Sequence, residues 1–366
     1  MKYRLLPIIA LISLAACCTK PDSGTENKVP DETAPAAVSV PDFAKGADVS
    51  WVSEMEASGK TFKKADGTPA DIFEVLKDCG LNSVRLRVWV SPTGGWSGKD
   101  DCVKLASRAA KAGLAVMIDF HYSDFFADPS RQTFPKDWEA SKSDATAVAG
   151  LLKAHTSEVL EALKAEGVTP AWIQIGNETR NGFLWPLAQL WDNKGNISGG
   201  WARFAQLYGA GYAAAKAVCP QAVVMPHLNN AWEDNAWWFK ELKAQGAKFD
   251  AIALSHYPQT ESGKSAEQVN SSALSRIQSL AAAFGVPVYV AEVGVKPATE
   301  SASAAVLKSF IDGVLKIPAC KGGVYWEPEV YGGWKPAVYG SLGWGPYDMG
   351  AFTSDGRPSS IMNAFK

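Results

Sequence analysis

The sequence predicts a single-domain (β/α)8 barrel of the α/β class, on three observations. From Lys45 onward, short apolar β-branched runs alternate with longer segments of helical periodicity. The runs number eight, and no linker or internal repeat interrupts the block. No Gly-rich phosphate turn follows the first run, where Asp48-Val-Ser-Trp51 stands instead, so an open doubly wound sheet is the weaker reading. The predicted strands are residues 46–51, 83–89, 115–121, 171–178, 222–228, 251–257, 287–294 and 323–327. The predicted helices are 70–80, 99–113, 143–167, 200–218, 235–246, 266–285 and 302–315. Several carry Ala, Leu and Phe at three-to-four spacing and close on Gly, a C-cap signal. Ser143 and Asp144 are candidate N-caps for the third.

Composition bounds the partners. The chain has 366 residues, 47% hydrophobic and 20% charged, enough for a large core. A net charge of −2 offers no field for nucleic acid or an acidic membrane and suits a neutral substrate. The N-terminus stands apart from the fold. Met1-Lys-Tyr-Arg gives a positive start, the apolar run 5–14 is too short to span a bilayer, and Leu14-Ala-Ala-Cys17 resembles a bacterial lipobox. Residues 1–17 therefore read as a lipoprotein signal with Cys17 as the lipidated residue. Residues 18–42, rich in Pro, Ser, Thr, Glu and Asp, read as a flexible tether, and 43–366 as the barrel. The expected location is the cell envelope, lipid-anchored in the outer membrane and facing outward. Cys79, Cys102, Cys219 and Cys320 fit no zinc spacing. Cys79 and Cys102 flank the second strand, so a disulfide between them and buried free thiols are both open.

Two glutamates carry the chemistry. Ala-Trp-Ile-Gln-Ile-Gly-Asn-Glu ends at Glu178, and Val-Tyr-Val-Ala-Glu-Val-Gly carries Glu292. An apolar strand has no structural need for an acid at its C-terminal end. Glycosidic hydrolysis needs two opposed carboxylates at such a place. Polar groups recur at the same end of nearly every other strand, the catalytic face of such a barrel. Arg85, Arg87 and Trp89 share one face of the second strand, and arginines facing a barrel interior need carboxylate acceptors. The other ends give Asp48, Asp119 and His121, Asn177, His227 with Asn229 beyond it, Ser255-His256-Tyr257, and Trp326-Glu327. Asp119 and His121 could ligate a metal, but with four His in the chain no set completes a tetrahedral or two-metal site, and none is expected. A Gly-x-Ser-x-Gly elbow is also lacking. Of 14 Trp, several fall in loops or at strand ends: Trp89, Trp96, Trp138, Trp185, Trp191, Trp326, Trp334 and Trp344. Their indole faces suit stacking on sugar rings, although core or loop packing is the readier reading of any one of them; that several sit on the catalytic side is the useful point.

Lys45-Gly-Ala-Asp-Val-Ser-Trp-Val52, Val84-Arg-Leu-Arg-Val-Trp89, Asp119-Phe-His-Tyr-Ser-Asp124 with Ala127-Asp128-Pro129, Gln174-Ile-Gly-Asn-Glu178 followed by Gly182 and Leu184-Trp185-Pro186, and Ala291-Glu292 together resemble glycoside hydrolase family 53, the endo-β-1,4-galactanases. The resemblance runs from about Lys45 to the C-terminus. It implies a barrel with Glu178 as acid/base and Glu292 as nucleophile. It implies that Asn177 binds the substrate 2-hydroxyl and that Arg85 keeps the nucleophile ionised. By the same match His256, Tyr257 and Trp326 line the subsite of the attacked sugar. The implied substrate is β-1,4-galactan or galacto-oligosaccharide, with no cofactor. Some bacterial relatives carry a calcium loop after the seventh strand. Here Val295-Lys-Pro-Ala-Thr-Glu-Ser lacks such a ligand run, so no calcium site is expected there. A related glycosidase on another β-linked polysaccharide, and a non-catalytic surface glycan binder, are the alternatives.

Overall fold

The structure, a computed structural model, describes residues 39–297, 300–334, 336–342 and 348–366. The expected signal, tether start, Cys17 and Trp344 lie outside the described residues. Parallel strands form the barrel: β1 (Ala44–Asp48), β2 (Ser83–Val88), β3 (Ala115–Phe120), β4 (Trp172–Ile175), β5 in two pieces (Val223–Met225 and His227–Leu228), β6 (Ile252–His256), β7 (Val288–Val293) and β8 (Cys320–Trp326). Each pairs with its sequence neighbour, and β8 pairs with β1. The first piece of β5 bonds to β4 and the second to β6. Pro226, between them, has no N–H for a ladder. The strand changes partner at that residue, and the Pro226 carbonyl still accepts from Ala253 N at 3.0 Å.

Helices follow the strands: α1 (Val52–Ala57) and α2 (Ile72–Asp78), α3 (Lys99–Lys111), α4 (Ala145–Ala165), α5 (Gly200–Val218), α6 (Ala236–Ala244), α7 (Ala266–Phe284) and α8 (Glu300–Leu315). Asp144 caps α4, accepting from Thr146 N and Ala147 N. Gly285 ends α7 with φ 67°, a left-handed residue that glycine adopts without strain. Helix α1 was not expected, and β1 stops at Asp48 because the chain turns into that helix. Strand β8 starts at Cys320, three residues earlier than expected. Gly322 and Gly323 hide its start, since glycine carries little strand signal. A Cβ on Gly322 would lie 2.8 Å from the Tyr289 ring, which explains the glycine.

Alternation sorts the interior into two layers. The floor is apolar: Ala44, Ala115, Met117, Trp172, Met225, Ala253, Tyr289, Ala291 and Val324 pack together. Burying each Met there contributes about 1.5–3 kcal/mol. Asp48, Arg85, Asp119, Gln174, His227, Ser255 and Glu292 lie above that floor, all buried. The outward strand faces pack against the helices in a second core. Cys79, Cys102, Cys219 and Cys320 are buried free thiols, so the Cys79–Cys102 bridge is not formed.

Candidate active site

Backbone irregularities deliver the two glutamates. Strand β4 ends at Ile175, Gly176 takes φ 86°, and Glu178 itself takes φ 46°. A Cβ on Gly176 would meet Thr179 Cγ2 at 2.5 Å, so only glycine fits this turn. On β7, Val290 lies opposite Leu254 while Glu292 lies opposite Ser255. The extra residue is a bulge, which swings Glu292 into the barrel next to inward-facing Ala291. Both carboxyls thereby line one cavity of about 250 Å³, with His121, Phe126, Asp128, Asn177, Tyr257 and Trp326 among its walls.

Arg85 organises the floor of that cavity. Its Nη1 donates to Asp48 Oδ2 at 2.7 Å, its Nη2 to Asp119 Oδ2 at 2.9 Å and Asn177 Oδ1 at 2.8 Å, and its Nε to Gln174 Oε1 at 2.5 Å. Glu292 Oε1 lies 3.0 Å from Nη2. Burial alone would raise the Asp119 carboxyl, but Arg85, then His121, outweigh it and hold it at about 2. His121 Nδ1 accepts from Trp89 Nε1 at 3.3 Å and from Ala127 N at 3.0 Å. The ring proton therefore sits on Nε2, which faces Asp119 Oδ2 at 2.8 Å.

The two glutamates differ in environment. Burial and then the charge of Glu292 push Glu178 well above the usual carboxylate range, and Asp128 adds to the effect. Burial also raises Glu292, but Arg85 opposes it, as does Tyr257, whose hydroxyl donates to Oε2 at 2.7 Å. Glu292 is thus the carboxyl that ionises first, and Glu178 the one that keeps a proton. Ser255 lies beside Glu292, its Oγ donating to Oε2 at 3.3 Å.

Other residues anticipated in the sequence fall around this centre or away from it. Asp48, Arg85, Asp119 and His227 lie under the cavity, and His121, Asn177, Tyr257 and Trp326 line it. Asn177 Nδ2 donates to Ala127 O at 2.7 Å, which fixes the amide and leaves its second N–H for a ligand. Arg87 and Trp89 stand behind the wall. Arg87 Nη1 donates to Glu327 Oε1 at 2.6 Å, and its guanidinium lies 4.3 Å from the Trp51 ring, 4.7 Å from Phe126 and 5.0 Å from Trp89. It braces Phe126 and, through it, Trp326 (ring centroids 6.0 Å apart).

His256 is a correction: its ring stacks on Phe310 at 4.0 Å and its Nε2 faces Asn270 Oδ1 at 2.7 Å. Alternation turns Ser255 and Tyr257 inward and His256 outward, into the helix layer. Asn229 and Trp185 are outside the cavity wall as well, and Trp185 Nε1 donates to Asn181 O at 2.8 Å. Of the loop tryptophans, Trp89, Trp138 and Trp334 are buried packing groups. Trp191 packs 6.0 Å from Trp237, which is 41% exposed and went unnoticed inside a helical pattern. Asp128, Phe126, Thr260 and Met349 also line the cavity without having been singled out as site residues. Glu329 is wholly buried, and burial and then Glu327 push it well above the usual range. Among the described residues no group of three or more His, Cys, Asp or Glu is arranged to hold a metal.

A parallel eightfold barrel with two glutamates facing one cavity at the C-terminal strand ends defines a glycoside hydrolase of the two-carboxylate kind. Comparison with known proteins narrows the class. The family model for glycosyl hydrolase family 53 matches residues 44–365, and the chain belongs to that family. A protein of Neosartorya fischeri named a probable arabinogalactan endo-β-1,4-galactanase A is 32% identical over 309 residues, 78% of this chain and 83% of its own length. A fungal β-1,4-galactanase structure superposes with TM-score 0.75 at 28% identity, covering 88% of this chain and 98% of that one. The family 53 catalytic domain of Ignisphaera aggregans gives TM-score 0.75 at 25% identity, covering 89% and 96%.

Proposed function

We propose that the protein is a retaining endo-β-1,4-galactanase that cleaves galactan and type I arabinogalactan by double displacement. The pairing of Glu178 and Glu292 across one cavity, with Arg85 and Tyr257 opposing the rise of Glu292 to the greater degree, carries the mechanistic part of this reading. The family and its galactanase-named relatives support the substrate. Glu292, held ionised by Arg85 and Tyr257, attacks the anomeric carbon. Glu178 gives its proton to the leaving oxygen. Glycosylation of Glu292 then removes the negative charge that raised Glu178, which becomes basic enough in its turn to activate water. Asn177 offers its remaining N–H to the 2-hydroxyl, and Trp326 faces the sugar. No cofactor enters the scheme.

Reducing-sugar release from linear β-1,4-galactan, β-mannan, xylan and β-glucan tests the substrate. Galactose differs from glucose in an axial 4-hydroxyl, and a site that hydrogen-bonds a particular hydroxyl discriminates strongly. Galactan is expected to be cut at least about tenfold faster than the others. Early products are expected to be a spread of oligosaccharides, as internal attack requires. Equal rates on the four polymers, or a single small product from the start, would refute the reading.

We also propose that the chain is anchored through a lipid on Cys17 and faces outward from the outer membrane. The basic start, the short apolar run, Leu14-Ala-Ala-Cys17 and the Pro/Ser/Thr-rich stretch after it support this. Fatty-acid labelling of the full chain is the check: label should be present in the wild type and absent in Cys17→Ser. Label retained by Cys17→Ser would move the anchor elsewhere.

A further inference from the structure

The walls of the catalytic cavity have few hydrogen-bonding groups left to offer a sugar. His121 has none: Nδ1 accepts from Trp89 Nε1 and Ala127 N, and Nε2 faces Asp119 Oδ2. Glu292 turns Oε1 to Arg85 and Oε2 to Tyr257 and Ser255. Asn177 keeps one N–H, since Arg85 Nη2 takes its oxygen and Ala127 O its other N–H. Thr260 gives its hydrogen to Tyr257 O at 2.8 Å. Asp128 differs from all of these. Its Oδ1 accepts from Ser130 N at 2.7 Å and from Ser130 Oγ at 2.6 Å. Its Oδ2 accepts from no described residue and is not sealed off, in a half-buried side chain on the cavity wall.

Asp128 stands on the Glu178 side of the cavity, and protein contacts alone hold it there. Asp128 N donates to Arg131 O at 2.7 Å and Arg131 N to Asp128 O at 3.0 Å, which closes a small turn. Buried Gln132 ties that turn to the end of β4: its Nε2 donates to Asp128 O at 3.1 Å and to Asn177 O at 2.9 Å. Glu178 follows Asn177, and the charge of Asp128 is among those that raise it. Glu178 meets the leaving oxygen, so the sugar beside it is the one that carries that oxygen. A hydroxyl next to a carboxylate oxygen that has no other partner donates to it. We propose that Asp128 is a specificity-determining residue whose Oδ2 accepts a hydrogen bond from a hydroxyl of the leaving-group sugar. This deepens the proposed function and rests on Glu178 being the acid of a retaining enzyme. A charged acceptor demands a donor, so a sugar unit capped at that hydroxyl is refused on the leaving side.

The test is how the glycosyl-enzyme of the full chain partitions at high galacto-oligosaccharide concentration. Either water or a sugar hydroxyl attacks the anomeric carbon. In both cases the bond to Glu292 breaks and the proton of the attacking oxygen passes to Glu178. The chemistry is common to the two, so the ratio of transfer to hydrolysis reads how well the leaving side holds a sugar. Asp128→Asn keeps the oxygen that Ser130 uses and puts an amide NH2 where the charged acceptor stood. It is expected to lower the ratio about tenfold, the difference between a charged and a neutral hydrogen bond. Asp128→Ser, whose hydroxyl can support the same turn, should lower it at least as far, and decides should the asparagine variant not fold. An unchanged or raised ratio overturns the proposal. So do equal losses of transfer and hydrolysis, which a loosened loop would give, and a wild type that hydrolyses with retention yet forms no transfer product. A wild type that leaves galactan uncut, or inverts the product, would instead sink the reading on which the proposal rests.

Discussion

Replacing Glu292 with Ala is expected to reduce hydrolysis of galactan by about 10⁵-fold or more, the worth of a nucleophile held in place rather than met by diffusion. The fold should survive, because Glu292 lines the cavity and its Arg85 partner keeps Asp48 and Asp119. The deleted carboxyl leaves a space beside the anomeric carbon that azide can enter. Added azide should restore turnover, and the glycosyl azide formed should have the inverted configuration. Glu178→Ala should behave differently. Natural linkages, with a poor leaving group, should lose about 10²–10⁴-fold, the usual worth of a general acid. Aryl substrates that leave without protonation should still glycosylate Glu292 quickly. Azide should then intercept the glycosyl-enzyme and give the retained configuration. The pH profile of the wild type follows from the same assignment. Activity should fall in acid as Glu292 becomes protonated, and in base as Glu178 loses its proton, with that basic limb displaced upward by burial and by the charge of Glu292. Wild-type rates in either variant, or azide products of the opposite configurations, would end the assignment.

How much of this could be read from the sequence depends on what each signal encodes. The barrel was legible because eight β-branched runs and their intervening helical periods are local patterns, and Gly285 and Asp144 mark helix ends by their own chemistry. The glutamates were legible because a carboxyl closing an apolar run is costly unless it is used. Side-chain direction was not. Ser255-His256-Tyr257 could have faced either way, and choosing requires the register with β7, which contains a bulge at Ala291 that no residue type announces. His256 was misplaced for that reason. The partner change at Pro226 belongs to the same class of fact, because it depends on which strand lies alongside. For any one of the loop tryptophans, packing was the readier expectation than a sugar platform. A large ring in a loop over a barrel has more core to cover than ligand to meet, as Trp89 and Trp334 show, while exposed Trp237 sat within a regular helix. Asp128 appeared in a recognised motif, but its side of the cavity became visible only once the loop after β3 was in place.

Arg85 is the residue whose loss should cost the most stability. Its guanidinium serves Asp48, Asp119, Gln174, Asn177 and Glu292, all buried. Arg85→Ala would leave three buried carboxyls without their common cation. Breaking a buried ion pair by removing one partner costs about 3–5 kcal/mol, so the variant should unfold at markedly lower denaturant. The pH dependence identifies the cause. Asp119 is held at about 2 in the folded protein, so its favourable interaction is present above the usual unfolded value near 4 and is lost as pH falls toward about 2. The deficit of Arg85→Ala should therefore be largest at neutral pH and shrink in acid, where the carboxyls are protonated in both proteins. A cavity left by the missing side chain would instead give a deficit independent of pH. Arg85→Lys should fall between, since a single ammonium with three donors cannot reach the same five acceptors in their planar arrangement. Activity should report the same event. Without Arg85, Glu292 ionises less readily, so the acid limb of kcat/KM should move to higher pH in Arg85→Lys while the basic limb moves less. A deficit that stays constant from pH 7 to pH 3, together with an unmoved acid limb, would show that Arg85 acts by filling space and not by balancing charge.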